Sequence, residues 1–264
     1  MSAARPDPAA PDDAAPNDAA PNDADTQAAD PILAALRQQI AQLGAQDPHI
    51  AARIASRALL EQLFAILTSA QGRVHMESAC AALGALAGHA CQQSALIALA
   101  GQAQIPEGAL LMVTDAQGEN YYYGHALNAP LLEDAHSLRA LLGGCLQALG
   151  APLPEAKELV LHVTQTLGTP AFGQPRLPEG VTLQASPREC LPLWPALRRG
   201  ILDALPVPPA QWPLAFGLAL QQLITQGKDA LAPTLAAQIA LESAIAMSKV
   251  IVHPQGPQAR PTMQ

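Results

Sequence analysis

Aromatic side chains are nearly missing from this chain, which holds two Trp, three Tyr and three Phe among 264 residues. A core must therefore be assembled from Ala, Leu, Ile and Val, and small side chains of that kind let helices pack at short distances. Charge is scarce too, at 14% of residues. That is too little to coat a single domain of this length, so apolar surface is left to be buried by tight helix packing or by an oligomer.

Further absences remove whole function classes. No HExxH, GxSxG, Walker or GxGxxG pattern occurs, so the common zinc-protease, serine-hydrolase and nucleotide-binding chemistries have no signature here. No cofactor and no metal site are expected. Cysteines number four, Cys80, Cys91, Cys145 and Cys190, without CxxC or Cys/His spacing. Cys80 and Cys91 lie about 16 Å apart along one helix, beyond disulfide reach. Free thiols in a reducing cytoplasm are the plain expectation.

The net charge of −8 comes mostly from residues 1–29, whose six Asp and one Arg sum to −5 and leave −3 for the rest. A basic nucleic-acid footprint is lacking. The acidic start without an apolar stretch does not read as a secretion signal. Ser78–Pro106 carries no formal charge and is long enough to span a bilayer. His89, Gln92 and Gln93 at its middle, and the lack of flanking Lys or Arg clusters, argue against a membrane.

What the chain does contain centres on Gly72–Gln102, which reads as one long helix. At 100° per residue, Met76, Leu83, Leu86 and Ile97 share an apolar face. Ser78, His89, Gln92 and Gln93 share a polar one, expected to be wet. Between them runs a strip of little bulk, Cys80, Gly84, Gly88, Cys91 and Ala95, headed by Glu77. Two glycines inside a helix cost about 1 kcal/mol each relative to alanine, which close approach by another helix or a ligand can offset.

In chain order, residues 1–29 carry a Pro/Asp/Ala repeat (APDDA, APNDA, APNDA) with nothing to bury, and disorder is expected there. Asp30-Pro31 and Asp47-Pro48 each open a helix, with Asp as N-cap. The second buries Leu59, Leu60, Leu63, Ile66 and Leu67 and exposes Arg53 and the i,i+4 pair Arg57–Glu61. Residues 109–124 alternate around a glycine turn and predict a β-hairpin containing all three tyrosines, Tyr121, Tyr122 and Tyr123. A helix at 137–149 is expected to break at Gly143-Gly144, and another covers 154–167. Residues 169–188 read as a long surface loop of the kind that carries function. Trp194-Pro195 and Trp212-Pro213 each precede an apolar helix, proline at the first helical position and tryptophan resembling a hydrophobic staple. The last helix, about 233–250, is apolar save for Gln238, Glu242 and Lys249, and residues 253–264 form a second tail expected to be disordered.

Chemistry has few candidates. Glu77 and Glu242 sit in matching Glu-Ser-Ala tripeptides, and with His75 and Lys249 they compose the one acid/base set the sequence offers. Each also has a structural explanation: Glu77 complements the helix dipole, and Glu242 lies on a solvent stripe or pairs with Lys249. Cys80, near a helix start, is a candidate low-pKa thiol, although its strip argues for packing.

These features predict a mainly α protein, a single domain over 30–252 of about seven to eight helices with one β-hairpin near 109–124. The expected role is non-catalytic: interaction or assembly as a homodimer, with Tyr121–Tyr123 at the interface. The alternative is a small-molecule binder or hydrolase-like enzyme beside Glu77 and Glu242. The two diverge on whether a helix or a pocket fills the Gly84/Gly88 strip.

Overall fold

The computed structural model describes residues 31–68 and 74–252. The expectations for 1–29 and 253–264, and for the Asp30 cap, lie outside the described residues. Among the described residues, eight longer helical segments and one two-stranded hairpin make up the fold, with a short helical stretch at 125–133 after the hairpin. They are α1 (Pro31–Leu43), α2 (Ile50–Leu67), α3 (Met76–Ala100), strands β1 (Leu111–Thr114) and β2 (Asn120–Tyr123), α4 (Leu138–Ala148), α5 (Ala156–Thr166), the composite stretch α6 (187–203), α7 (Trp212–Gly227) and α8 (Pro233–Met247). The mainly α architecture with a single hairpin is the one the sequence predicts.

The centre of the fold is the pair α3 and α8, both buried almost all round. A helix apolar on every side belongs inside other helices. α7 lies beside both, with α2 and α4 against α7 and α5 against α8. Gly84 faces Ala240 and Gly88 faces Ala244, in each case backbone against backbone. The constant offset between these pairs means that α3 and α8 run parallel. A Cβ on Gly84 would sit 2.3 Å from the Ala240 carbonyl oxygen, and one on Gly88 2.0 Å from that of Ala244. Contact this close is the gain that offsets two helical glycines. The strip is thus filled by a helix, and no ligand space remains beside it.

Several local expectations are corrected. The polar face of α3 is not wet, for Ser78, His89 and Gln92 are all buried. The polarity of two of them is matched from distant segments: Ser78 Oγ accepts from the Gln184 N–H at 3.0 Å, and Gln92 Nε2 donates to the carbonyls of Ser248 and Val250 at 2.9 and 2.8 Å. His89 packs edge-on against Trp194 with centroids 5.1 Å apart. Ile97, placed on the apolar face, is instead exposed near the end of α3. Ile66 is exposed as well, in the last turn of α2.

Asp47 does not cap α2. His49 occupies the N-cap, while Asp47 Oδ1 accepts the His49 N–H and its other oxygen pairs with Arg53 at 3.1 Å. Gly143-Gly144 does not interrupt α4, because Leu153 approaches the bare Cα of Gly143 closely and the helix continues. Both Trp-Pro pairs do start helical turns, and the two indoles meet at 5.5 Å, edge to face. Trp212 also donates its indole N–H to the Val207 carbonyl. Two of the few large aromatics thereby pin α6 onto α7.

Candidate functional site

The predicted acid/base set does not converge. Since α3 and α8 are parallel with Gly84 level with Ala240, Glu242 stands level with Leu86, roughly 14 Å along the axis from Glu77. His75 is the exposed N-cap of α3, and Glu77 is half-buried in its first turn. Lys249 lies beyond the end of α8, about 10 Å further than Glu242. Cys80 is no activated thiol, because burial, and secondarily the Glu77 charge, push it up to about 12. Burial drives Cys91 upward as well. Helix-dipole stabilisation of a Cys80 thiolate is outweighed by the loss of water around it. Among the described residues, no three His, Cys, Asp or Glu side chains are grouped so as to hold a metal ion. No described helix is long and apolar enough to cross a membrane.

Glu242 is sealed from solvent, at 1% exposure, and pairs with Arg176 rather than Lys249. It accepts the Arg176 backbone N–H at 2.7 Å and its Nε–H at 2.6 Å, with Nη2 in contact as well. His162 Nε2 stands 3.8 Å away and is bonded to the Gln174 carbonyl at 3.0 Å. A buried carboxylate needs such partners. The result ties the proline-rich segment 168–186 to the core helix. That segment is therefore held rather than loose. Phe172 packs edge-on to Tyr121 at 5.1 Å. Gly173, at φ +85°, lies where a side chain would strike Met247.

Tethered in this way, the segment forms one wall of an open cleft of about 550 Å³ against the hairpin. Asp115, Gln117, Glu119, Tyr121, Phe172 and Arg188 line it. Asp115 Oδ1 accepts two backbone N–H groups, of Gln117 and Glu119, which shapes the hairpin turn. Arg188 bridges to Glu119 at 3.0 Å across the exposed rim. Burial raises the Tyr121 phenol, and the neighbouring Asp115 carboxylate raises it further.

Among the described residues the backbone bonds that anchor the hairpin run along its β2 edge. Tyr121 bridges Val250, and the Tyr122 N–H donates to the Lys249 carbonyl at 2.9 Å. Lys249 places its ammonium 4.3 Å over the Tyr123 ring, and burial lowers its pKa to about 8. β2 is thus covered by the chain following α8, and β1 is outermost. In the register Leu111↔Tyr123, Met112↔Tyr122, Val113↔Tyr121, the Tyr122 N–H points away from β1. Antiparallel alternation then directs the backbone groups of Met112 and Thr114 outward. All four β1 residues are exposed, Met112 to 64%. Tyr121, expected at an interface, is buried within the chain, and Tyr122 and Tyr123 are half-buried. The exposed apolar side chains are instead Leu111 and Val113 on one face of the hairpin and Met112 on the other.

Sequence reasoning missed Arg176 and the Lys249–Val250 bridge. The latter had a signal, a Val-Ile-Val run after α8. Arg176 had none beyond being one of two cations in a charge-poor loop. The chain matches no protein-family model, no curated protein and no solved structure.

Proposed function

We propose that this is a non-catalytic interaction and assembly protein that works as a homodimer and docks through the outward edge of its hairpin. One observation carries the reading: among the described residues the outward N–H and C=O groups of β1 meet no partner, while Leu111 and Val113 are exposed on one face of the strand and Met112 on the other. An open, apolar, uncharged edge strand is an aggregation liability that proteins ordinarily blunt with Lys, Pro or a bulge. None of these occurs in β1. Kept in that form, the edge suits strand addition, in which main-chain bonds give affinity and alternate side chains give selectivity. The separation of Glu77 from Glu242 and the helix-filled strip weigh on the same side. Light scattering at micromolar concentration tests the reading. A mass twice the 27.4 kDa chain is expected, and the single-chain mass at every concentration overturns the homodimer.

A second reading, a small-molecule binding protein, draws on the preformed cleft between the hairpin and segment 168–186. A thermal-shift screen of metabolites separates the two, since a ligand confined to the folded state raises the melting temperature. Arg188→Ala should abolish such a shift while leaving the dimer mass unchanged.

A further inference from the structure

Resting on the interaction reading above, we propose that β1 pairs with β1 of a second copy, antiparallel, about a two-fold axis at Met112. The edge is self-complementary in hydrogen bonding, because Met112 and Thr114 each offer one outward N–H and one outward C=O. Registers must match outward groups with outward groups; an axis at Leu111 would set Met112 against Leu110, outside the mate's strand, and the others centre on Met112, Val113 or Thr114. Centring on Val113 sets Leu111 opposite the Asp115 carboxylate of the mate. Centring on Thr114 leaves Leu111 beyond the end of the mate's strand. Centring on Met112 sets Met112 against Met112, and Leu111 against Val113 in both directions, so every apolar side chain meets an apolar one.

Charge does not oppose this arrangement, since Leu-Met-Val-Thr carries none. Geometry does not oppose it either. Each body attaches at the β2 side through Val250, so the four-stranded sheet β2-β1-β1-β2 keeps the two bodies on opposite edges. The sequences at either end of the chain make poor occupants of the edge. Residues 253–264 carry three prolines, and residues 1–30 hold five Pro, seven Asp and two Asn, residues that lack a ladder donor or disfavour strands.

Engineered cysteines test the register, because Cys80, Cys91, Cys145 and Cys190 are all buried. In the proposed pairing, the two Met112 Cα atoms lie about 5.5 Å apart, within disulfide reach. The two Val113 positions are diagonal neighbours, roughly 7–8 Å apart, beyond easy bridging. Mild oxidation of the Met112→Cys protein should give a covalent dimer on a non-reducing gel, at several-fold higher yield than Val113→Cys. Met112→Lys should weaken self-association tenfold or more while leaving the melting temperature in place, since the side chain is exposed. A dimeric mass with preferential cross-linking of Val113→Cys overturns the Met112 axis. A dimeric mass with cross-linking at neither position and no effect of Met112→Lys overturns edge pairing, while the assembly reading stands. A single-chain mass at all concentrations overturns both.

Discussion

Replacing Gly88 by alanine adds one methyl group, and the structure sets what that methyl must do. Its carbon would lie 2.0 Å from the Ala244 carbonyl oxygen and 2.7 Å from the Ala244 Cα. Backbone on a core helix cannot rotate aside as a side chain can. α3 and α8 must therefore separate by roughly 1 Å or more to restore ordinary contact. Parting two central helices loosens every layer that depends on them, including the Gln92 grip on Ser248 and Val250. Overpacking of this kind costs about 1–3 kcal/mol or more, against about 1 kcal/mol regained from helix propensity. The net expectation is a loss of up to about 2 kcal/mol for alanine, and more for leucine. Gly84→Ala, with its methyl at 2.3 Å from the Ala240 oxygen, should behave alike. Gly144 is the internal control. It lies in α4 with nothing within 4 Å of an added Cβ, so Gly144→Ala should be neutral or stabilising by about 0.5–1 kcal/mol. Urea denaturation of the three variants gives the ordering. Gly88→Ala as stable as Gly144→Ala would refute the contact.

Other perturbations follow from the same geometry. Arg176→Ala strands a buried carboxylate and should destabilise by about 1–3 kcal/mol, less than for two sealed partners because water reaches the guanidinium. The Arg176→Met/Glu242→Leu double variant should recover much of that loss in urea, and limited proteolysis should cut segment 168–186 faster in the single variant alone. His89, which burial lowers to about 4, stays neutral in the fold while the unfolded chain takes up a proton below pH 6.5. Stability should therefore fall as pH drops from 6.5 toward 4, by at most about 1.4 kcal/mol per pH unit from this group, and His89→Leu should flatten that limb of the denaturation profile. Lys249 has the same sign at alkaline pH. Between about 8 and 10.5 the unfolded chain holds the extra proton, so stability should rise with pH across that window, and Lys249→Met should remove the rise.

The elements that proved legible were those whose signal is local. Two glycines eleven and seven residues before Ala95 announce a close approach because nothing else offsets their helical cost. The 109–124 hairpin is legible because period-two alternation around a turn belongs to strands alone. What stayed hidden depends on partners far along the chain. A helical wheel places Ser78, His89 and Gln92 on a polar face and cannot show that residues 184, 248 and 250 bring backbone groups to satisfy two of them. Glu242 looked like a solvent stripe because its partner, Arg176, lies 66 residues away in a segment without regular structure. The tyrosines suggested an interface by composition, but Phe172, 51 residues from Tyr121, closes over one of them. The acid/base set failed for a related reason: matching tripeptides say nothing about the relative axial level of two helices.

The claim that the hairpin edge is the working surface is tested most directly by amide hydrogen exchange resolved to single residues in β1. The Leu111 and Val113 amides point into the hairpin and should be protected at any concentration. The Met112 and Thr114 amides point outward, and their protection should appear at micromolar concentration and vanish on dilution. Exchange of both at the rate of a free strand, at concentrations where the protein is a dimer by mass, would contradict the account.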